Sequence, residues 1–226
     1  MHEPQASGNP GYAPRPLCQL RARLQDDARR NSGASLGEWV RMEIESAMEW
    51  DRTSRGRQSY PKDSFEIGKE YAQGNEHRVF QSIDGLRAVK LTANPPTFGS
   101  WGKLMPYLDN LVLNNHLHGD DQQVETFLPT PKGVQLVMSQ PWIQGCPALE
   151  EEISQFMISR EFANFGLNVW RSEKTGVIIS DARPANIFKE TETGMLIPID
   201  VQVRAPRIIV EKAWREQAER EKGSDF

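Results

Sequence analysis

Apolar and polar residues alternate in different patterns along the chain, and the first part of the chain has helical patterns. SLGE at 35–38 has the form of a capping box, and the apolar positions after it predict a helix over 36–50. Residues 17–30 form a charged segment with helical character. Residues 1–16 have the composition of a disordered arm, and residues 51–64 that of a linker.

The central part of the chain combines strand patterns with turn signals around one helix. Residues 65–92 predict strands separated by turns, of which the Asp84–Gly85 pair is a strong hairpin signal. The proline-rich stretch 94–100 interrupts regular secondary structure. After it, leucines on a shared face predict a helix within 101–120. Residues 124–140 predict a second hairpin, so this region is rich in strands.

The last part of the chain returns to helices, with two short strands between them. Residues 146–166 predict a helix, because Pro147 and three glutamates are typical of a helix N-terminus. The short apolar runs 176–179 and 195–200 predict buried strands, and residues 210–223 predict a polar helical tail. The order of these elements predicts an α+β fold.

The loop between the two short strands concentrates polar side chains. Asp181, Arg183 and Asn186 fall within six positions, Pro184 prevents a helix through them, and Asp200 ends the next strand. Hard divalent cations such as Mg²⁺ prefer oxygen ligands and take further ligands from phosphates. Asn186 and Asp200 can supply such oxygens, which leaves Asp181 to orient or deprotonate a hydroxyl. Arg183 is placed to offset negative charge on a transferring phosphoryl group.

Composition narrows the classes of function. A formal net charge of −4 argues against a general nucleic-acid or anionic-membrane surface. No apolar run approaches the roughly 20 residues that span a bilayer, and the N-terminus lacks the pattern of a secretory signal. Cys18 and Cys146 are far apart and have no Cys or His neighbours, which disfavours a metal cluster or a disulfide framework. These features predict a cytoplasmic protein and leave its oligomeric state open.

Four segments together resemble a known family. Residues 181–186, DARPAN, resemble the protein-kinase catalytic loop D-x-[KR]-P-x-N, and Asp200 stands at the position of the kinase metal-binding aspartate. RAVK at 87–90 resembles the V-A-I-K strand, whose lysine contacts the α- and β-phosphates. QGNEHRVF at 73–80 resembles the phosphate-covering loop that precedes this strand. All four segments occur in the kinase order.

More narrowly, the chain resembles the compact kinase domain found in polyvalent proteins of phages and mobile elements. The similar segments are GNEHRVF, VKLT, TFGS, SQPWIQG and ISDARPANIF…IPIDVQV, within about residues 65–204. The resemblance implies a minimal two-lobed protein-kinase-like fold with a shortened C-lobe. Its N-lobe would be residues 65–140 and its reduced C-lobe 141–226, after an arm, helix and linker at 1–64.

The resemblance also implies roles for individual residues, with ATP and Mg²⁺ as cofactors. Lys90 would hold the phosphates, and it pairs with an acid for which Asp109 is the choice, although a solvated Asp109 is the alternative. The residues assigned to nucleotide binding are Gly74, Val79, Ala88, Lys90, Asp109, Ser139, Gln140 and Pro141, the last three reading adenine through their backbone. The catalytic residues are Asp181, Arg183 and Lys90, and the metal ligands are Asn186 and Asp200.

The chain departs from the kinase pattern at several positions. Ile179-Ser180 replaces the catalytic-loop His-Arg pair, Val201-Gln202 follows Asp200 in place of Phe-Gly, and Ala72 and His77 occupy the outer glycine positions of the phosphate loop. Only 26 residues follow Asp200, fewer than a long activation segment and a full C-lobe need.

The leading interpretation is a phosphotransferase that moves the γ-phosphoryl group of ATP to a Ser, Thr or Tyr hydroxyl of a protein substrate. The alternatives are a small-molecule kinase and a pseudokinase, a module that binds nucleotide or a protein partner without turnover.

Overall fold

The structure is a computed structural model and describes residues 17–54, 67–74, 76–92, 103–131 and 133–223. The disordered arm expected at 1–16 and the interruption of secondary structure expected at 94–100 lie outside the described residues. The same holds for most of the linker expected at 51–64 and for the domain boundary expected after it.

Helices form where the apolar positions recur every third or fourth residue. In the third helix, Leu104, Leu108 and Leu111 lie on one side and are almost fully buried. The second helix begins with the capping box, in which Ser35 Oγ donates to Glu38 and accepts a hydrogen bond from the Glu38 amide. The described residues form α1 (Leu17–Arg30), α2 (Leu36–Ser54), α3 (Leu104–His118), α4 (Glu150–Ser159) and α5 (Arg207–Gly223).

Strands occupy most of the remaining described chain. The larger ones are β1 (Ile67–Gln73), β2 (His77–Ser82), β3 (Arg87–Thr92), β4 (Gln123–Thr130) and β5 (Gly133–Pro141). The smaller ones are β6 (Gly145–Pro147), β7 (Ala163–Gly166), β8 (Val169–Arg171), β9 (Ile178–Ser180), β10 (Ile187–Glu190), β11 (Leu196–Pro198) and β12 (Gln202–Arg204).

The largest sheet has two faces of different character. Its five strands are antiparallel in the order β1-β2-β3-β5-β4. Directly opposite residues share a face, so Lys90 lies on the same face as Val79 of β2 and Met138 of β5. Because side chains alternate along a strand, the other face carries the neighbours of Lys90. That face buries a small apolar cluster of Phe80, Val89, Leu91 and Val137.

Two small antiparallel sheets carry the loop with the polar side chains. One has the order β11-β10-β6 and the other β12-β9-β8-β7. The loop leaves β9, passes through a short 3₁₀ turn at Pro184–Asn186 and enters β10. Residues before and after it are therefore fixed in two different sheets.

Helices α1, α2 and α5 form a layer around α3. Helix α5 packs against α3 and α1, and α1 packs against α2. Leu20 and Leu24 of α1 and Trp50 of α2 are buried in the same core as α3. The N-terminal helices therefore belong to the main core, and α5 returns to it from the region assigned to the C-lobe.

The α+β prediction is confirmed, while the two-lobed organisation stays a prediction. The helix predicted over 36–50 corresponds to α2, the hairpin over 124–140 to β4 and β5, and the tail over 210–223 to α5. Among the described residues, no helix has both the length and the apolar character needed to cross a bilayer.

One predicted helix is too long, and several short strands were not predicted. Helix α4 ends at Ser159, because Glu161 adopts a left-handed φ of 64° that a helix does not continue through. The residues after it form the β7–β8 hairpin, where the prediction extended the helix to residue 166. Strand β10, which directly follows the polar loop, is one of these strands: it pairs with the neighbouring β11 and, over a long sequence distance, with β6.

Candidate functional site

A buried lysine lies at the centre of the candidate site. The Lys90 side chain is 9% exposed, and its Nζ lies 2.8 Å from the Ile199 carbonyl oxygen and 3.4 Å from Asp200 Oδ1. A buried ammonium is costly unless it is paired, and these two oxygens provide the pairing. Lys90 therefore joins β3 to the segment between β11 and β12.

Asp109 does not pair with Lys90, so that part of the sequence interpretation is wrong. Asp109 lies on the side of α3 that contacts α5, where its Oδ1 accepts a hydrogen bond of 2.7 Å from Trp214 Nε1. Burial raises the pKa of Asp109, which the Trp214 hydrogen bond and Arg21 partly oppose. Asp109 thus joins α3 to α5 within the helix layer.

Tyr107 is a residue of α3 that faces the candidate site. Its hydroxyl lies 2.7 Å from His77 Nε2, and both side chains are buried. Burial lowers the pKa of His77 to about 4, with Asp200 raising it and Lys90 lowering it further. Burial also raises the pKa of Tyr107 well above its usual range, as do Asp200 and Glu76. The two rings are therefore neutral at pH 7 and lie within the electrostatic range of Asp200.

The polar loop brings three of the predicted residues together. Arg183 Nε lies 2.8 Å from Asp181 Oδ1, and Asn186 Nδ2 donates to Asp181 Oδ2 at 2.6 Å and to the Asp181 carbonyl at 2.9 Å. Asp181 has a φ of 58°, a left-handed conformation that costs a non-glycine residue about 1 kcal/mol or more. The neighbouring contacts hold the carboxylate in this strained position.

Asp200 lies next to the loop and is open to solvent on one side. Its side chain is 53% exposed, and protein atoms surround the rest. Burial raises the pKa of Asp200, but Lys90, His77 and Arg183 together outweigh it, so the net pKa lies below its ordinary value. The Ile199 amide also donates to the Asn186 carbonyl at 2.8 Å. Lys90, Asp200 and the loop thus form one continuous site.

The turn between β1 and β2 lies near this site, because its Glu76 is within electrostatic range of Asp200 and Asp181. The Gly74 amide donates to the His77 carbonyl at 2.8 Å, which closes the turn. A Cβ on Gly74 would meet no atom closer than 3.6 Å, so the protein's own packing does not require glycine there. The open space fits close approach of a ligand to the backbone. Val79 pairs with Lys90, and Ala88 lies on the same face two residues earlier.

Glu76 is a carboxylate of this turn that the sequence analysis did not assign. Burial raises its pKa, and Asp200 and Asp181 raise it further. Glu76 therefore lies within electrostatic range of both carboxylates of the candidate site. Its position within GNEHRVF is a signal that could have pointed to it, whereas Tyr107 lies in an ordinary helical pattern that gave none.

The three residues assigned to adenine differ in their surroundings. Ser139 pairs with β3 on one side and β4 on the other, and its Oγ contacts Glu125 and accepts from Arg87 Nε at 2.8 Å. The ladder with β4 ends at Ser139, so Gln140 and Pro141 pair with β3 alone. Among the described residues, the side of β5 that pairs with β4 therefore has no strand partner from Gln140 onward.

The oxygens of Asn186 and Asp200 suit a hard cation. The Nδ2 of Asn186 donates to Asp181, so its Oδ1 is the atom that could bind a cation. The Asp200 carboxylate is ionised and about half exposed. No cluster of three or more His, Cys, Asp or Glu residues in the described part of the chain has the arrangement of a metal site. Two protein oxygens fit Mg²⁺ when phosphates and water supply the other ligands.

Comparison with known proteins identifies a similar family. A family model described as a serine/threonine/tyrosine kinase found in polyvalent proteins matches residues 52–206. The matched range contains the β1–β2 turn, Lys90, the polar loop and Asp200. No curated protein matches the chain.

Proposed function

The chain belongs to the family of serine/threonine/tyrosine kinases found in polyvalent proteins, and from this we propose that it transfers the γ-phosphoryl group of ATP to a protein hydroxyl. The observation that carries the proposal is the contact of Lys90 with Asp200 beside the loop of Asp181 and Asn186. A phosphate-binding cation, metal-binding oxygens and a fixed carboxylate occur together there, as phosphoryl transfer requires.

Asp181 has the chemistry of the group that accepts the substrate proton. Arg183 and Asn186 each engage one of its carboxylate oxygens, which fixes its orientation while leaving lone pairs for a hydroxyl. The guanidinium of Arg183 adds positive charge beside the transferring group, where negative charge develops. Positioning and charge stabilisation are the main contributions to such a reaction.

On nucleotide binding, Lys90 would exchange its protein oxygen partners for phosphate oxygens. In this structure its ammonium contacts the Ile199 carbonyl and the Asp200 carboxylate. In the nucleotide complex, phosphate oxygens would take over this role. Mg²⁺ bound by Asn186 and Asp200 would supply charge neutralisation of the phosphates. Gly74 would let the backbone approach them, and Gln140 and Pro141 would border adenine.

A small-molecule kinase is the second candidate. Helix α5 begins at Arg207, so only residues 201–206 separate it from Asp200, and α5 then packs against α3. This connection leaves little chain for a platform that binds a protein substrate. A small acceptor would need less surface around Asp181.

The first experiment measures thermal stability with ATP plus Mg²⁺, with ATP alone, with ADP and with GTP. A ligand at about 100 times its Kd adds about 2.7 kcal/mol of stability. Stabilisation by ATP that depends on Mg²⁺ is the expected result. No stabilisation by any nucleotide would contradict nucleotide binding.

The second experiment separates the two carboxylates. Asp200→Asn should weaken Mg²⁺-dependent ATP binding, because it removes a charged metal ligand. Asp181→Asn should preserve binding and lower turnover by about 10²–10⁴-fold, the usual contribution of a positioned general base. Asp26→Asn is the matched control, since Asp26 is 55% exposed and lies on α1.

Calorimetry measures binding, and transfer of labelled phosphate to protein and small-molecule acceptors measures turnover. Binding without transfer to any acceptor would identify a pseudokinase. Unchanged binding and turnover in both variants would contradict the proposed site.

A further inference from the structure

The N-terminus of α3 is held by a side chain from α2. Glu43 is 3% exposed, and its two carboxylate oxygens accept from the backbone amides of Leu104 and Met105 at 2.9 and 3.3 Å. Lys103, the residue at the N-cap position of α3, makes no side-chain capping hydrogen bond. A carboxylate at a helix N-terminus satisfies free amides and interacts favourably with the helix dipole. Helix α2 therefore supplies the cap that α3 lacks.

A second contact joins the same two elements. Lys103 Nζ lies 4.9 Å from the centroid of the Trp39 ring, a cation–π distance. Trp39 and Glu43 both belong to α2 and are one helical turn apart. The start of α3 is thus attached to α2 at two neighbouring points.

The next turn of α3 is attached to the sheet. Tyr107 follows Leu104 by three residues, and its hydroxyl contacts His77 Nε2 on β2 at 2.7 Å. Because both rings are buried and neutral, the bond does not depend on an ion pair. This bond joins α3 to β2, whereas the sequence had predicted that an acid of α3 would bond to Lys90.

The same histidine closes the turn near the candidate site. The His77 carbonyl accepts from the Gly74 amide at 2.8 Å, and Glu76 lies between the two residues. The side chain of His77 is therefore attached to α3 while its backbone fixes the turn. Three hydrogen-bonded contacts, joined by the covalent chain of α3 and of His77, therefore connect Glu43 to Gly74.

We propose that α2 positions the phosphate-covering turn through α3, with Glu43, Tyr107 and His77 as positioning residues. The inference rests on the proposed function in one respect, namely that the ligand under the turn is ATP with Mg²⁺. Loss of any of these bonds lets the turn sample more conformations, and ligand binding must then restrict them. The three residues do not contact Asp181 in the structure, so the effect falls on nucleotide binding and spares the chemical step.

The test uses Tyr107→Phe and Glu43→Gln in the full chain. Each should raise the KM for ATP with Mg²⁺ by about 3- to 10-fold, the range expected for one buried hydrogen bond, with kcat changed less than about twofold. Hydrogen exchange of the Gly74 amide, measured by NMR without nucleotide, should become faster by a similar factor. This second readout does not require the protein to be a kinase.

Two variants serve as controls. Thr126→Val removes a buried hydroxyl that contacts Asp51 of α2, and so weakens the contact between α2 and β4 without touching α3. Glu38→Gln alters the cap of α2 itself. Both should leave the KM and the exchange of the Gly74 amide close to those of the wild type.

The double variant Glu43→Gln with Tyr107→Phe tests this connection directly. If both residues act through the same turn, the two increases in KM should be less than multiplicative, because the second substitution releases a turn that is already loose.

Gly74 exchange at the wild-type rate in Tyr107→Phe and Glu43→Gln would overturn the inference, as would equal acceleration in Thr126→Val. Faster exchange in a protein that binds no nucleotide would support the mechanical connection and reject the proposed function.

Discussion

The two ends of helix α3 lie beside buried ionisable groups that the protein treats in opposite ways. Near the first turn, Tyr107 lies within electrostatic range of Asp200, which contacts Lys90 and has a side chain that is 53% exposed. Near the last turn, Asp120 is only 8% exposed. Within the described residues, Asp120 Oδ1 and His118 Nε2 are buried without a hydrogen-bond partner.

These surroundings set the charge at each end. Burial alone would raise the pKa of Asp200, but Lys90, His77 and Arg183 lower it overall. At the other end, burial raises the pKa of Asp120 to about 7, although Gln122, Lys90 and Arg160 oppose the shift. Burial and then Arg160 lower the pKa of His118 to about 4.

The comparison shows what distinguishes a candidate functional site from a buried region with a structural role. Charge persists where opposite charges meet beside solvent, and it is suppressed where the groups are enclosed without enough partners. The Lys90 end therefore retains the ions that a phosphate ligand and a cation would use. The Asp120 end affects mainly stability and its dependence on pH.

The largest expected effect comes from removing the cation at the first end. Lys90→Met should weaken binding of ATP with Mg²⁺ by about 10- to 100-fold, because a charge-assisted contact with phosphate is lost. The fold should survive, since Asp200 keeps access to solvent. Calorimetry gives the affinity, and circular dichroism checks the fold.

Lys189→Met is the matched control for this variant. Lys189 also pairs with a carboxylate, Glu152, but it lies on β10 and is partly exposed. Its substitution should leave ATP affinity unchanged. Equal affinities of Lys90→Met and the wild type would remove the distinction between the two ends of α3.

The second prediction concerns the enclosed carboxyl. The pKa of Asp120 is 3.8 before folding and about 7 after it, so the native state binds more protons between these values and its stability falls as pH rises through this window. Asp120→Asn should therefore stabilise the protein by about 2 kcal/mol near pH 8 and hardly at all near pH 4. Urea unfolding at both pH values measures the difference.

Asp121→Asn is the control, because Asp121 is exposed and pairs with Arg87. It should give no comparable gain at either pH. Destabilisation by Asp120→Asn near pH 8 would mean that the Asp120 carboxylate has a stabilising partner as an ion.

The smallest effect is expected at His118. Its pKa falls from 6.5 to about 4 on folding, so the unfolded state binds more protons in this window and stability decreases as pH falls through it. His118→Gln removes this term and should gain about 1 kcal/mol near pH 5 with no gain near pH 7.5. A pH series of urea unfolding would show the flatter profile, and an unchanged acid profile would contradict it.

Much of the candidate site could be predicted from sequence because its residues are close along the chain. Asp181, Arg183 and Asn186 form one loop, and their contacts with one another span at most five positions. Asp200 comes two residues after β11, the second strand after this loop. Short separations leave few conformations, so residue types and spacing were enough to indicate the chemistry.

The partner of Lys90 could not be predicted in the same way. The hydrophobic pattern of α3 indicates a helix, but Asp109 and Tyr107 lie two residues apart, on different sides of it. Which side faces the sheet depends on how α1, α2 and α5 pack around α3. The sequence pattern therefore suggested Asp109, whereas packing directs Tyr107 to His77.

The sequence alone determined the local features of this protein, namely the capping box of α2, the helical and strand patterns, and the polar loop with its neighbouring carboxylate. Tertiary structure decided that Glu43 caps a helix 61 residues away, that β10 joins two other strands, and that α5 returns to α3. The physical reason is that local structure follows from the backbone and side-chain preferences of neighbouring residues. Contacts between distant residues depend on how whole helices and sheets rotate and pack to bury their apolar faces.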